Sequence, residues 1–361
     1  MRLHVVALGC QMSVADGGEL AAPLLARGFS PAAAPEDADA VIVNTCTVRQ
    51  HAEDKALSLI GRLRPWKAER PERVLIVAGC AAERLGPWLR GRFPHVDLVV
   101  GAKSIEDYPR LVEEALAARF DALAENNETF SGAAEAPENP IGWPSPAVAP
   151  VTVMRGCNYS CSYCIVPAVR GRESYRPFDA VLAEVRAKAE AGAREILLLG
   201  QTVNSWRDGG TGRRFPELLR AAASAPGVAR VRFESPHPRF VDDALIEAMA
   251  GVAGAGDHLH LPAQSGSDRV LSLMRRNYTA ASFLEKAERL RAALPKIEVS
   301  TDIIVGFPSE TDEDFARTLE LVRRLRPAWT YAFKYSPREG TEAAGRPDDV
   351  PAEVKEERLA R

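Results

Sequence analysis

An α/β protein of two domains, each built on a parallel sheet, is what this sequence predicts. Three observations carry that reading. Short β-branched runs alternate with stretches of helical periodicity along nearly the whole chain; alternation of this kind places helices over a parallel sheet. A stretch rich in Ala, Glu, Asn, Gly and Pro, without periodicity, splits the alternation into a shorter and a longer array. The length of 361 residues suits two domains of roughly 100 to 200 residues each.

In the first domain, residues 1–120, strands are expected at 2–8, 38–44, 73–79 and 96–101, and helices near 16–27, 49–64, 81–92 and 106–119. Helices on both faces of an open parallel sheet follow from that order. Three of the six cysteines lie here, each directly after a strand: Gly9-Cys10, Asn44-Thr45-Cys46 and Gly79-Cys80. Open α/β sheets bind ligands at the carboxyl edge. Three thiols at that edge therefore make a candidate metal site, while three separate buried cysteines would be the ordinary alternative.

Residues 121–147 end in Pro140-Ile-Gly-Trp-Pro-Ser-Pro146 and read as an extended linker. In the second domain, residues 148–345, six strands are expected, at 148–154, 195–199, 229–234, 258–261, 297–305 and 330–335. Helices are expected near 177–191, 216–225, 242–250, 267–291 and 310–325. Pattern alone leaves an open barrel and a flat doubly wound sheet both possible. Polar residues follow the strand ends, where barrels keep their chemistry: Gln201 and Asn204, then Ser235, then Gln264; the fifth strand carries Ser300 and Asp302 and ends at Gly306. Each is a candidate cofactor contact, although helix caps account for part of the same pattern. His237, His258 and His260 could serve as ligands or bases, although a lone histidine on a strand is more often structural, and no role is assigned to them.

The other three cysteines form one loop, Gly156-Cys157-Asn-Tyr-Ser-Cys161-Ser-Tyr163-Cys164. A structural zinc closes its tetrahedron with four protein ligands, and no fourth Cys or His stands nearby. Disulfides between cysteines this close would be strained. Thiolates select soft metals and iron-sulfur clusters, and a cluster held by three cysteines leaves one iron open. Arg170, Arg172 and Arg176 follow as a basic cluster that could contact a phosphate or shape a cluster's potential, with a solvated loop before the helix that starts at Pro177 as the alternative.

The balance of 46 basic and 49 acidic residues, net charge -3, gives no global attraction to a polyanion, so any nucleic-acid contact must use local patches or something outside this chain. No apolar run approaches membrane-spanning length and residues 1–11 carry no cleavage signal; a cytoplasmic protein with no membrane partner is expected. In a reducing compartment six cysteines serve as ligands or reactive thiols rather than disulfides.

The spacing Cys157-x3-Cys161-x2-Cys164, with Tyr163 before the last cysteine, resembles the signature of the radical S-adenosylmethionine (SAM) enzymes. That resemblance implies a radical SAM partial (β/α)6 barrel after the N-terminal α/β domain, an open iron that chelates SAM, Cys157, Cys161 and Cys164 as the catalytic cluster ligands, and Tyr163, Gln201, Asn204, Ser235, Gln264, Ser300, Asp302 and Gly306 as SAM contacts. With Gly9-Cys10-Gln-Met12, Asn44-Thr-Cys46-Thr-Val-Arg49, Ala78-Gly-Cys80, Leu259-His-Leu-Pro262 and Asp302-Ile-Ile-Val-Gly-Phe-Pro308 in order, the chain resembles the radical SAM methylthiotransferases, and among them the MiaB branch. The resemblance implies two 4Fe–4S clusters, the second on Cys10, Cys46 and Cys80 holding or donating sulfur. It also implies a tRNA anticodon stem-loop carrying isopentenyl-adenosine as substrate, an electron donor such as a flavodoxin or ferredoxin, and a monomer. Relatives in the family modify threonylcarbamoyl-adenosine or a ribosomal-protein aspartate. From other classes, an iron-sulfur electron carrier and a zinc-clipped RNA-binding protein compete. Residues 346–361 resemble the connection to the family's RNA-binding TRAM barrel, which lies beyond this chain, so weakened tRNA binding is expected.

Overall fold

Two consecutive apolar strands whose every residue is buried, Ala40–Thr45 and Val74–Gly79, sit at the middle of the first sheet. A strand covered on both faces needs no polar alternation. Ala40 and Ile42 face one apolar cluster and Val41 and Val43 the other, so helices are required on both sides. The structure, a computed structural model, describes residues 1–48, 50–124, 147–252, 255 and 257–361. These divide into two compact units, one of residues 1–124 with Val169–Gly171, the other of Ala147–Ala168 and Arg172–Arg361.

The first unit runs β1 (Arg2–Ala7), α1 (Gln11–Leu25), β2 (Ser30–Pro31), β3 (Ala40–Thr45), α2 (Gln50–Glu69), β4 (Val74–Gly79), α3 (Cys80–Arg92), β5 (Leu98–Gly101) and α4 (Tyr108–Ala124). The parallel order is β2-β1-β3-β4-β5. Strand β2 is an edge that the sequence pattern does not announce. Helix α1 starts five residues before the expected 16 because its first turns bury Ser13 and Asp16 beside Met12, which blurs the apolar stripe. Helix α4 runs past the expected end into the first residues of the predicted linker; 125–146 of that linker lie outside the described residues.

The second unit continues with β6 (Val148–Thr152), β7 (Met154–Arg155), α5 (Val166–Arg170), β8 (Ser174–Tyr175), α6 (Phe178–Glu190), β9 (Glu195–Leu199), α7 (Phe215–Ala223), β10 (Arg230–Phe233), α8 (Asp243–Ala250), β11 (His258–His260), α9 (Asp268–Leu273), α10 (Ala280–Ala293), β12 (Glu298–Val305), α11 (Asp312–Leu325), β13 (Thr330–Lys334) and α12 (Ala352–Ala360). The last residues of α5 pack with the first unit. All six expected strands are present, as two parallel three-stranded sheets, β6-β9-β10 and β11-β12-β13, each in chain order. Six parallel strands in sequence, each followed by a helix on the same apolar core, give the partial (β/α)6 architecture.

One expected element is corrected. The single helix over 267–291 is two, because Arg275 and Asn277 take left-handed φ values of 57° and 44°. Thr279 then caps α10: its Oγ1 accepts from the Ser282 amide at 3.1 Å while the Ser282 hydroxyl accepts from the Thr279 amide at 3.1 Å. That reciprocal pair starts a new helix.

Helix α12 is tied to this unit by a buried ion pair. Arg358 Nη1 reaches Glu310 Oε2 at 2.8 Å, with side-chain exposures of 5% and 0%. Burial pushes the Glu310 carboxyl up against the pull of the Gly306 amide and the guanidinium. Removing one partner of such a pair leaves a buried charge uncompensated, a cost of about 3 kcal/mol. Arg358→Ala is therefore expected to lower the unfolding free energy by about 3 kcal/mol in denaturant titration; an unchanged midpoint would show that α12 is not anchored this way.

Candidate metal centres

The topology of the first unit makes neighbours of three strand ends. β1, β3 and β4 lie side by side, and each delivers a cysteine: Cys10 at the N-cap of α1, Cys46 just past β3, Cys80 as the first residue of α3. Glycines permit the approach. Gly9 has φ 124°, and a Cβ there would stand 2.3 Å from Cys46 Cβ and 2.8 Å from its sulfur. At Gly79, φ 99°, a Cβ would meet Asn44 Oδ1 and the Thr45 carbonyl at 2.4 Å. Side chains then pin the strand ends: Asn44 Nδ2 donates to Ser13 O at 2.6 Å, and Thr45 Oγ1 donates to Ala78 O at 2.7 Å while accepting from the Ala82 amide at 3.1 Å.

Cys10 is exposed, whereas Cys46 and Cys80 are buried. Their protons are not equivalent. A hydrogen bond from the Cys46 thiol favours the Cys10 thiolate and brings its pKa down to about 5; the same bond makes the Cys46 proton harder to remove. Burial raises Cys80, opposed by Arg170. Arg170 donates from Nε to Cys80 Sγ at 3.2 Å and from Nη2 to Asp16 Oδ2 at 2.7 Å. The arginine is thus neutralised by a carboxylate as it touches the sulfur.

In the second unit the cysteine loop follows β7 through Gly156, φ 75°. The loop is held from beneath: the Ser162 amide donates to Met274 O at 3.1 Å, its hydroxyl to Leu273 O at 2.7 Å, and its carbonyl accepts from the Ala343 amide at 2.7 Å. Cys164 N donates to Cys161 O at 3.0 Å, closing a tight turn between these two cysteines. Cys157 Sγ lies 3.3 Å from Thr202 Oγ1, and Cys161 Sγ accepts from Arg276 Nη1 at 3.4 Å. Burial raises Cys157 and pushes Cys164 up to about 12. A metal that binds these thiols must displace their protons.

The predicted SAM contacts differ in their surroundings. Gln201, beside Thr202, has both amide atoms buried without a hydrogen-bond partner among the described residues, in the turn that touches Cys157. Asn204, one turn on, spends its amide within the chain: Oδ1 accepts from His237 N at 2.8 Å and Nδ2 donates to His237 O at 3.1 Å. Ser235 and Gln264 hold left-handed φ values of 61° and 71°. Ser300 and Asp302 join the β11 histidines, with Ser300 Oγ 2.8 Å from His258 Nε2 and from His260 Nδ1, and Asp302 Oδ2 3.3 Å from His260 Nε2. Tyr163 packs against the apolar cluster of Val270, Met274, Phe307, Tyr335 and Ala343, and Gly306 N donates to Glu310 Oε2 at 2.6 Å.

Sequence reasoning passes over Arg276 and Tyr278 because the pattern there reads as the interior of one long helix. The signal that finds them is Thr279-x-x-Ser282, a capping pattern that ends the preceding segment. It also sets aside His237, which stacks on Tyr159 at 4.5 Å and is kept neutral, its pKa lowered to about 3 by burial and then by the nearby arginines.

Among the described residues no three His, Cys, Asp or Glu side chains converge closely enough to share one metal ion. What speaks to a cluster is the donor set: three thiols without a fourth Cys or His suit an iron-sulfur cluster with one open iron better than a closed structural zinc. The orphaned Gln201 amide beside the second set fits a polar cofactor that exchanges hydrogen bonds there.

Comparison with known proteins agrees with this geometry. The model of the radical SAM superfamily matches residues 151–322, and that of uncharacterized protein family UPF0004 matches residues 2–101. The tRNA-2-methylthio-N(6)-dimethylallyladenosine synthase of Syntrophobacter fumaroxidans is 46% identical over 360 residues, covering 99% of this chain and 79% of the relative. The protein of the same name from Sorangium cellulosum is 44% identical, over 100% of this chain and 76% of its own. Among solved structures, the radical SAM methyltransferase TsrM from Kitasatospora setae, with cobalamin and a 4Fe–4S cluster bound, superposes with a TM-score of 0.65 at 16% identity, covering 95% of this chain and 73% of that one; this likeness is one of fold. From the two matched models, the near-complete relatives and the paired three-cysteine sites it follows that the chain belongs to the radical SAM methylthiotransferase family.

Proposed function

We propose that this protein adds a methylthio group to dimethylallyl-adenosine next to the anticodon of tRNA, the activity carried in the names of its close relatives. The observation that carries the reading is the pair of three-thiol sites, one on each α/β unit, since a radical SAM enzyme that only generates a radical needs one. When bound, a 4Fe–4S cluster with an open iron supplies reductive cleavage of SAM, and a second supplies a sulfur site.

The chain's own contribution is positioning. Cys157, Cys161 and Cys164 would hold the first cluster and Cys10, Cys46 and Cys80 the second. Gln201 offers one amide donor pair and one acceptor to SAM, and Thr202 fixes Cys157 beside it. Gln264, Ser235, Ser300 and Asp302 border the same strand ends as further contacts. A one-electron donor of the flavodoxin or ferredoxin class would serve the reaction, with the protein acting as a monomer in the cytoplasm. Residues 1–120 and 148–345 form the two functional domains, joined by the linker.

Mass spectrometry of tRNA nucleosides from a strain lacking the gene, with and without the gene restored, tests the reading. The methylthiolated dimethylallyl nucleoside is expected to disappear and its unmodified precursor to accumulate. Loss of a methylthiolated threonylcarbamoyl nucleoside instead would reassign the substrate.

A further inference from the structure

Arg276 stands in the break between α9 and α10, 6% exposed, and every group it touches is neutral or a cluster-ligating sulfur. Nη1 donates to Cys161 Sγ at 3.4 Å, Nε donates to Tyr278 Oη at 2.9 Å, and Nη2 approaches Pro262 O at 3.5 Å. The guanidinium carbon lies 5.2 Å from the Tyr278 ring centroid. Tyr278 is fixed in turn, its hydroxyl donating toward Ala263 O at 2.8 Å and Pro262 O at 3.1 Å. No carboxylate pairs with Arg276 among the described residues. Glu173, which binds the loop through Asn158, is held by other partners, accepting from Asn158 Nδ2 at 3.2 Å, Ser205 Oγ at 3.3 Å and the Tyr175 hydroxyl.

An arginine stays charged in any protein setting, and burying one without a counter-ion is costly. A fold that keeps it there places its field and its N–H where they act on something anionic. Arg170 is the contrast within the chain: it also donates to a ligand sulfur, yet Asp16 cancels its charge at 2.7 Å. Cluster potentials respond to net charge and to hydrogen bonds on the sulfurs. A positive charge in a dry site stabilises the state with one more electron.

We propose that Arg276 is a positioning residue of the radical-generating site: it fixes Cys161 and supplies an uncompensated positive charge that makes the cluster on Cys157, Cys161 and Cys164 easier to reduce. The inference rests on the two-cluster reading given above. Its chemistry is a one-electron uptake, with the electron from the external donor and no proton moved by Arg276.

The test uses the whole chain carrying Cys10→Ala, Cys46→Ala and Cys80→Ala, so that a single cluster gives the signal. Iron and sulfide content and the midpoint potential, from electron paramagnetic resonance at a series of poised potentials, are compared for this parent and its Arg276→Lys and Arg276→Gln derivatives. The Gln derivative is expected to retain the parent's iron and to titrate at a more negative potential, with Lys between the two. A Gln derivative with full iron and the parent's midpoint overturns the proposal. Should Gln lose iron, Lys decides: iron retained near the parent's midpoint supports the role of the charge, and iron lost from both variants overturns it in favour of a packing role. A parent with no iron at all would overturn the two-cluster reading, and the proposal with it.

Discussion

Replacing any one of Cys157, Cys161 and Cys164 by alanine is expected to abolish the reductive cleavage of SAM, leaving deoxyadenosine at the level of an enzyme-free mixture, and to lower bound iron by about half, one cluster of two. The loop offers no substitute ligand. Cys157 faces Thr202, Cys161 faces Arg276, and Ser162 is turned into the loop's own support, donating to Leu273 O. The arginine is a cation that repels a metal, and the hydroxyls are hard ligands for a soft site. Ser162→Ala is the matched control. It removes one hydrogen bond worth about 1 kcal/mol and is expected to keep both iron and SAM cleavage. Iron unchanged in the cysteine variants would mean that these thiols do not hold a cluster.

The sequence disclosed the sheets and the thiols because each rests on a local rule. Parallel strands buried on both faces are written as uninterrupted apolar runs such as Val41–Val43 and Leu75–Val77, and a residue directly after such a run is at the carboxyl edge wherever the sheet lies. The placement of Cys10, Cys46 and Cys80 on neighbouring strands depends on the order β1-β3-β4, which alternation suggests without fixing. What stayed hidden depends on long-range contact. Asp16 is an acid on a buried helix face, legible only once Arg170 is known to reach it across 154 residues. Arg276 looks like one more helical surface arginine until the left-handed residues on either side turn it inward. The candidate SAM contacts share only a position beside a strand end, a rule that does not tell Gln201, whose amide is left unpartnered among the described residues, from Asn204, whose amide already binds His237.

Replacing Cys10, Cys46 and Cys80 together by alanine is expected to lower bound iron to about four per chain, one cluster's worth, while SAM cleavage remains measurable and methylthiolation of tRNA falls to nothing. The separation follows from where the thiols sit: Cys10, Cys46 and Cys80 belong to strand ends of the first unit, and Cys157, Cys161 and Cys164 to one loop of the second. Gly9→Ala gives the same result by geometry alone. Its Cβ would fall 2.3 Å from Cys46 Cβ in a backbone conformation, φ 124°, that alanine resists, so Cys10 and Cys46 are forced apart with every ligand still present. Half of the iron is expected to go, measured by iron and sulfide analysis after anaerobic reconstitution, with deoxyadenosine production retained. If the triple variant kept all of its iron, the strand-end cysteines would not be ligands. If it kept methylthiolation while losing iron, the sulfur would have to enter by a route that bypasses the first unit's cluster.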